Sequence, residues 1–398
     1  MTTPAEIPET LLELERAVEA LAAAGELSLP PYPAVALRVR QVLERKTFGF
    51  EEIARLVRSD AALAAGILRI ANSATYGRGA PVTALTQAVT RVGAQQVLRL
   101  LLATGLSLHA NAPGPLLPLR RLFWIEGLSS AAICEALARL RTLRVEEAFV
   151  LGLLHDFGRI VAAASLERIL ERRAEPGRFP TAAWSAVADR LHVPLGTALA
   201  ARWGLPRLVA EAIALHHQEG AACEDPALLE VVRAADQVTP RLVQGAALTA
   251  ADLVAAPGVA ARERAEVARA LEAIPDFVAA YEGPATPEGA APAFFEPKPP
   301  PPGGARFAVT VSLGGRQRTY AAVAIAADVV SLVGADPLPM NRLIEVTLQA
   351  GPAPLVVWAL ARECQPVLGG YAIELRPFAL DAAARARWSA LCGGGGEG

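Results

Sequence analysis

An adjacent histidine and aspartate, His155 and Asp156, interrupt the otherwise apolar run EEAFVLGLLHDFGRIV. Two ionisable side chains inside an apolar helical segment cost free energy unless they are paired or bind an ion. Neighbouring helical residues project about 100° apart, so this pair can meet on one ion only at a helix end or with partners from other helices. The run therefore predicts either a metal site or a polar cluster, completed by further residues.

Four other residues occupy helical positions from which they can face the same cleft. They are Glu126 in FWIEGLSSAA, His216 and His217 in AIALHHQEG, and Asp236 in LLEVVRAADQV. Because His216 and His217 are adjacent on a helix, we expect at most one of them to point inward. His109 and His192 have no acidic neighbours in the sequence and are interpreted as incidental.

The run GLLHDFGR resembles the central signature of the HD-domain phosphohydrolases, which arrange a histidine, a His-Asp pair and an aspartate around a divalent cation. The resemblance implies that His155, Asp156 and Asp236 hold Mg²⁺, Mn²⁺ or Fe²⁺. Where the superfamily has its first histidine, in a W-x-H-S type segment, residues 124–127 read WIEG, with Glu126 in its place. A carboxylate still binds a hard cation. Loss of a ligand nevertheless favours a structural or vestigial site over a hydrolytic one.

Three blocks within residues 29–107 resemble the HDOD (HD-related output domain) family: LPPYPAVALRV, SDAALAAGILRIANSATYG and PVTALTQAVTRVGAQQVLRL. The resemblance covers about residues 27–245. HDOD domains are generally regarded as non-hydrolytic regulatory modules of bacterial signalling proteins. The implied function is a signal-output or adaptor protein that binds a protein partner. The alternative is a metal-dependent HD-type phosphohydrolase acting on a nucleotide or phosphoester.

Polar residues at the end of one helix in the second block are candidates for contacts with a partner. They are Arg69, Asn72, Tyr76 and Arg78 in ILRIANSATYGRG. Helix capping and turn formation explain such residues without a partner, and this is the favoured interpretation.

The chain beyond residue 305 changes from helical to strand periodicity. Short β-prone runs such as RFAVTVSL, RTYAAVAI and NRLIEVTL are divided by Gly, Pro and Asn, which predicts a closed or nearly closed barrel. A last helix, LDAAARARWSALC, follows. This part resembles a degenerate PilZ domain, a small β barrel that often binds cyclic di-GMP.

The nucleotide-binding residues of the PilZ family are only partly present. Ser331 and Gly334 supply an S-x-x-G turn, but Val329 stands where the family has an acid or amide. Arg316 and Arg318 are spaced R-x-R rather than R-x-x-x-R, and two residues apart on a strand they share one face. The resemblance therefore implies doubtful nucleotide binding.

These patterns predict a multidomain α + β chain with five segments. They are an N-terminal helix or leader (1–26), a helical HDOD domain with a helical extension (27–282), a Pro/Gly-rich linker (283–305), a PilZ-like barrel (306–392) and a disordered tail (393–398). Within the helical domain, residues 182–188 and 195–203 are predicted as separate helices.

Charge and hydropathy exclude several classes of protein. Lys and Arg number 38 against 40 Asp and Glu, so no global positive field attracts nucleic acid. Residues 83–108 have the spacing of a DNA-binding helix-turn-helix motif, but the second helix offers few polar side chains for contacts with DNA. No signal peptide pattern and no membrane-spanning run is visible, so we expect a cytoplasmic protein without membrane insertion.

Overall fold

A computed structural model describes most of the chain. The described residues are 9–24, 27, 30, 34–43, 45, 47–72, 80–170, 181–243, 258–281, 307–313, 316–350, 353–367 and 370–393. The predicted linker (283–305), Tyr76 and Arg78 lie outside these ranges, as does most of the predicted tail.

Thirteen α-helices precede the strands in the described part of the chain. They are α1 Glu9–Ala23, α2 Ala34–Leu43, α3 Phe50–Arg58, α4 Ala61–Ala71, α5 Leu85–Val92, α6 Ala94–Ala110, α7 Leu117–Leu140, α8 Val145–Leu154, α9 Phe157–Leu170, α10 Thr181–Trp203, α11 Arg207–Leu215, α12 Pro226–Val243 and α13 Arg264–Tyr281. Leu and Ala side chains on their inner faces form a shared apolar core. The predicted helical domain is confirmed.

Helix α7 lies at the centre of this domain, since it packs against α8, α9, α12 and α13. Most of its side chains are buried, including Trp124 and the charged Glu126. A helix buried on nearly all sides loses the one-sided apolar pattern of a surface helix. It can therefore carry polar side chains towards several neighbours at once.

Two helix boundaries differ from the predicted ones. The apolar run around His155 is divided at His155 and Asp156 into α8 and α9. In contrast, α10 continues through Pro194 as one helix, so the prediction of two separate helices was wrong. Proline removes one backbone donor and kinks a helix without always ending it. His192 consequently lies inside α10.

Residues Val145–Leu170 form the one described stretch that is long and apolar enough to cross a membrane by length and composition. Of its most apolar window, 78% is buried inside the molecule. A buried core helix passes the same test, so this stretch is only weak evidence for a membrane span.

Six strands form a closed antiparallel barrel after the helices, in the order β1-β2-β3-β6-β5-β4. They are β1 Phe307–Leu313, β2 Arg316–Ile325, β3 Val330–Gly334, β4 Leu343–Gln349, β5 Leu355–Val367 and β6 Gly370–Pro377. Closure leaves no unpaired sheet edge. Helix α14 (Ala382–Gly393) follows, and its Trp388 lies in the barrel core and donates from Nε1 to the Ala326 carbonyl at 2.9 Å. The predicted fold class is confirmed.

Candidate metal centre

The His155–Asp156 turn lies where α8, α9 and α7 meet. Its approach to α7 depends on Gly152, because a Cβ at that position would lie 2.8 Å from backbone atoms of Ala131 and Ser130. The next residues place Gly158 equally close to α10, where a Cβ would lie 1.9 Å from the His192 carbonyl oxygen. Only glycine permits both approaches. Three helices are thereby held around the turn.

Three buried histidines are anchored in the same way, through Nδ1 and a backbone carbonyl about one helical turn earlier. His155 contacts the Gly152 oxygen at 2.9 Å, His192 the Asp189 oxygen at 2.5 Å, and His216 the oxygens of Ala212 and Ile213 at 3.0 Å. A carbonyl oxygen can only accept, so Nδ1 carries the proton in each ring. In the neutral tautomer Nε2 is left as an unprotonated donor atom for an ion.

The Nε2 atoms of His192, His216 and His217 lie close together. Nε2 of His192 lies 3.2 Å from Nε2 of His216 and 3.1 Å from Nε2 of His217. Two neutral rings with unprotonated Nε2 atoms at this separation repel each other unless a proton or a cation lies between them. Donors bound to one ion by bonds of about 2.1 Å lie about 3.0–3.4 Å apart, which matches these distances.

Two carboxylates complete the cluster. Asp156 Oδ1 lies 3.3 Å from Nε2 of His216 and 3.4 Å from Nε2 of His192, and its Oδ2 lies 3.7 Å from Nε2 of His155. Asp236 Oδ1 lies 3.8 Å from the same nitrogen of His155. Two sets of potential ligands result, each with donors within 4.8 Å of one another: Asp156, His192, His216 and His217, and His155, Asp156 and Asp236. Asp156 belongs to both sets and can bridge two ions.

Charge and burial act against each other in this cluster. Burial opposes the imidazolium of His155, but Asp156 and Asp236 outweigh it and raise its pKa to about 9. Burial likewise opposes ionised Asp156, whereas His155, His216 and Arg159 hold its pKa well below the usual range. For His192, burial dominates and lowers the pKa. The metal-free site thus favours ionised carboxylates and a neutral His192, the forms that bind a metal, whereas His155 must lose its proton when it binds one.

Glu126 lies beside this cluster without joining either ligand set. Its Oε2 accepts a hydrogen bond from Nη1 of Arg159 at 2.5 Å, and Arg159 also binds Asp189 at 2.7 Å. The same Nη1 is 3.7 Å from Asp156 Oδ2. Burial raises the pKa of Glu126, and Arg159 opposes that shift. Glu126 is therefore connected to the cluster through a guanidinium.

Both His216 and His217 face the cluster, so the expectation that only one of them points inward was wrong. Helix α11 ends at Leu215, and the two rings follow in a turn instead of a continuing helix. Arg233 on α12 holds this turn by donating to the carbonyls of Leu215, His216 and Gln218. His217 is half-exposed and lines a cleft of about 730 Å³ that opens to solvent.

His192 is the residue that sequence reasoning missed. A signal was present, because His192 follows Ala188 by four residues and precedes Leu195 by three, and both are buried on one face of α10. A histidine within an apolar helical stripe needs a partner in the core. That partner is Asp156, which no local sequence pattern reveals.

The other predicted site residues that the structure describes lie away from this cluster. The Asn72 side chain donates to the carbonyls of Leu68 and Val82 and accepts a hydrogen bond from the Val82 amide, so it joins the end of α4 to Val82. Arg69 is exposed on α4. In the barrel, Ser331 and Gly334 lie within β3, and the prediction that they form a turn was wrong.

The two barrel arginines are not brought together with Ser331. Ser331 pairs with Ala324, about 20 Å along β2 from Arg318. Arg318 donates to the Pro337 carbonyl at 3.0 Å, whereas Arg316 is exposed at the start of β2. The four residues predicted to bind a nucleotide therefore do not form one site.

The helical domain thus places a His-Asp turn, further histidines and an aspartate in one cluster. Residues 29–219 match the model of the HDOD domain family. A relative from Treponema pallidum (strain Nichols), described as an uncharacterized protein, is 26% identical over 223 residues. The match covers 54% of this chain and 43% of that protein, so it spans less than half of the relative's length.

The chain is also similar to solved structures. A proposed metal-dependent phosphohydrolase from Shewanella amazonensis SB2B is 21% identical, with a TM-score of 0.54 over 69% of this chain and 100% of that one. An HDOD domain protein of unknown function from Geobacter sulfurreducens is 24% identical, with a TM-score of 0.48 over 69% of this chain and 96% of that one. Identity at this level relates the folds and not the activities.

Proposed function

We propose that the chain is a regulatory signalling protein whose HDOD domain binds a divalent transition metal at the His155–Asp156 cluster. The observation that carries the metal site is the shared orientation of three buried imidazoles, with Nδ1 fixed by backbone carbonyls and Nε2 directed at Asp156. Nε2 of His155 and Oδ1 of Asp156 are buried without a hydrogen-bond partner among the described residues. Unsatisfied donor atoms of this kind in a core need a bound ion or water.

The chemistry of the donors indicates which ion fits. Imidazole nitrogen suits Zn²⁺, Fe²⁺, Ni²⁺ and Cu²⁺, and carboxylates add Mn²⁺ and Mg²⁺. Four histidines around two aspartates therefore favour Mn²⁺, Fe²⁺ or Zn²⁺ over Mg²⁺. His192, His216, His217 and Asp156 would hold one ion, and His155 and Asp236 would hold a second with Asp156.

The regulatory part of the proposal rests on the match to the HDOD family and on the residues beside the metal site. Glu126 is paired with Arg159 and not directed at the ligands. Two of the three arginines in the adjacent cleft are already engaged, Arg141 with Glu263 and Arg233 with backbone carbonyls. This arrangement leaves Arg262 as the exposed guanidinium of the cleft.

A metal-dependent phosphohydrolase is the second candidate function. The observation in its favour is the open cleft beside His217 and Asp236, lined in part by Arg141, Arg233 and Arg262. A divalent cation bound beside it would act as a Lewis acid towards a phosphoryl oxygen. His217 is half-exposed and lines this cleft. The acidic residues Glu219, Glu230 and Glu263 line the same cleft and oppose an anionic substrate.

Metal analysis and a hydrolysis panel separate these functions. Full-length protein purified without chelator is analysed for bound metal, then stripped and titrated with Mn²⁺, alongside His155→Ala and Asp156→Ala. We expect metal in the wild type, its loss in both variants, and no multiple-turnover hydrolysis of phosphodiesters or nucleotides. Absence of metal binding in the wild type contradicts the proposal. If the wild type hydrolyses a substrate with multiple turnovers and the folded His155→Ala and Asp156→Ala variants do not, the phosphohydrolase replaces the regulatory proposal.

The barrel is proposed to be a PilZ-like module that does not bind cyclic di-GMP through Arg316, Arg318, Ser331 and Gly334. The support is their separation along β2 and β3 and the bond between Arg318 and Pro337. Titration calorimetry of the full chain with cyclic di-GMP is expected to show no binding at micromolar concentrations. Binding that is lost in Arg316→Ala or Arg318→Ala contradicts this assignment.

A further inference from the structure

The β barrel packs directly on the helical domain. Leu343 on β4, Leu360 on β5 and Phe378 after β6 are buried within the apolar cluster of the helical core and not within the barrel's own core. At the edge of this interface Asn341 donates from Nδ2 to the carbonyl of Pro118 at 2.8 Å, and Asn341 is itself 1% exposed. The two folds therefore share a buried contact at the start of α7.

A β-bulge directs one charged barrel residue at this interface. In β5, Ala361 pairs with Leu375 and Glu363 with Glu374, so Arg362 is the extra residue between them. Ala361 lies inside the barrel, whereas Leu360 lies on the side that meets the helices. A bulge re-aims the side chain of its extra residue. Nη1 of Arg362 is buried and has no hydrogen-bond partner within the described ranges.

Arg362 interacts electrostatically with a charged residue of α7, Glu126. Its guanidinium and the carboxylate of Glu126 lie within electrostatic reach of each other. Glu126 bonds to Arg159, and Arg159 approaches Asp156, the residue shared by both ligand sets. A continuous series of opposite charges thus runs from the barrel through Glu126 and Arg159 to the metal cluster.

Both guanidiniums compensate carboxylates that the protein has buried together. Glu126, Asp156 and Asp236 lie in or beside one core cluster, and buried like charges require compensation. Arg159 and Arg362 supply positive charge when no ion is bound. A divalent cation at Asp156 supplies that charge directly and repels both of them.

We propose that metal binding at Asp156 and docking of the β barrel oppose each other, because Arg362 provides part of the positive charge that the metal replaces. This inference rests on the metal site proposed above. Such coupling is reciprocal: if Arg362 weakens metal binding, bound metal weakens barrel docking by the same factor. The barrel then acts as a sensor of the metal state of the HDOD domain.

Titration of the full chain with Mn²⁺ tests the proposal. The variants are Arg362→Gln, Arg362→Lys as the charge-retaining change, and Arg387→Gln as a control that removes one barrel charge on α14, where Arg387 bonds to the Ala353 and Pro354 carbonyls. We expect Arg362→Gln to bind Mn²⁺ about three- to tenfold more tightly than the wild type. Arg362→Lys and Arg387→Gln are expected to keep the wild-type affinity.

Hydrogen exchange of the wild type adds a measurement that needs no variant. Amides of residues 355–367 in β5 are expected to exchange faster when Mn²⁺ is added, since docking loosens. Equal or weaker Mn²⁺ binding by Arg362→Gln, or slower exchange of β5 with Mn²⁺, overturns the coupling and leaves the metal site intact. A wild type that binds no Mn²⁺ overturns the metal site and the coupling together.

Discussion

The Nε2 atom of His192 lies 3.4 Å from the Oδ1 atom of Asp156. The two residues belong to different elements, since His192 lies within α10 and Asp156 in the turn between α8 and α9. His192 is also the ring that approaches both His216 and His217. It is therefore the central donor of the four-residue ligand set, and its removal leaves that set with three members.

Replacement of His192 by alanine is expected to lower Mn²⁺ affinity at least tenfold while the chain remains folded. Loss of one ligand or its support typically costs 10- to 100-fold in metal affinity. Titration calorimetry on chelator-treated protein gives the affinity, and circular dichroism reports the fold. His109→Ala is the matched control, because His109 lies on α6 outside both ligand sets. Equal losses in the two variants contradict a role for His192 as a ligand.

The stability of the metal-free protein is expected to fall as the pH rises from 6.5 to 9. Asp156 and Asp236 raise the pKa of buried His155 from 6.5 to about 9. A raised pKa in the folded state stabilises the fold fully below the unfolded pKa, and this contribution is lost as the pH rises through the folded value. The loss is of the order of 2 kcal/mol, since each pKa unit corresponds to about 1.4 kcal/mol.

Denaturant unfolding in EDTA at pH 6.5, 7.5 and 9 measures this change. His155→Gln removes the titrating group, so its free energy of unfolding should vary less over the same range. A wild type whose stability is constant or rises towards pH 9 contradicts the raised pKa of His155.

The division into helices and a barrel could be predicted from the sequence because periodicity is local. The predicted strands RFAVTVSL and RTYAAVAI became β1 and β2, and α1 lies within the predicted N-terminal helix or leader (1–26). The His-Asp pair was recognisable for a similar reason, since two adjacent ionisable residues contrast with apolar neighbours in α8 and α9. Signals carried within one element survive without knowledge of the tertiary fold.

What the sequence did not reveal are relations between distant elements. His192 meets Asp156 only because α9 and α10 approach at Gly158, and Glu126 meets Arg159 only because α7 crosses α9. The electrostatic interaction of Arg362 with Glu126 depends on a bulge that one extra residue creates in β5. Pairing, bulges and crossings are set by packing, which no pattern of neighbouring residues encodes.

Asn341 is expected to stabilise the contact between barrel and helices. It has a left-handed backbone, with φ of 50°, and donates to Pro118 across the interface. Asn341→Ala loses this bond and replaces asparagine by alanine, which tolerates the left-handed backbone less well, so the free energy of unfolding should fall by roughly 2–4 kcal/mol. Asn341→Gly relieves the strain and isolates the hydrogen bond, so it should cost about half as much. Denaturant unfolding of both variants measures these two losses. An Asn341→Ala variant with the wild-type free energy of unfolding contradicts the prediction.

The last prediction concerns the close approach that places His192 in the cluster. A Cβ at Gly158 would lie 1.9 Å from the His192 carbonyl and 2.8 Å from the Gly196 nitrogen, both of them backbone atoms. Backbone cannot give way as a flexible side chain does, so Gly158→Ala must displace α10 from α9 or strain both helices. We expect a loss of more than about 2 kcal/mol in the free energy of unfolding and, in the protein that stays folded, weaker Mn²⁺ binding.

Gly127→Ala is the control, because its Cβ would lie 3.4 Å from the Leu153 carbonyl, a much looser contact. Alanine there should be neutral or stabilise α7 by up to about 1 kcal/mol. Thermal unfolding and Mn²⁺ titration of both variants compare the effect of alanine at the two positions. A Gly158→Ala protein with wild-type stability and Mn²⁺ affinity contradicts the packing argument.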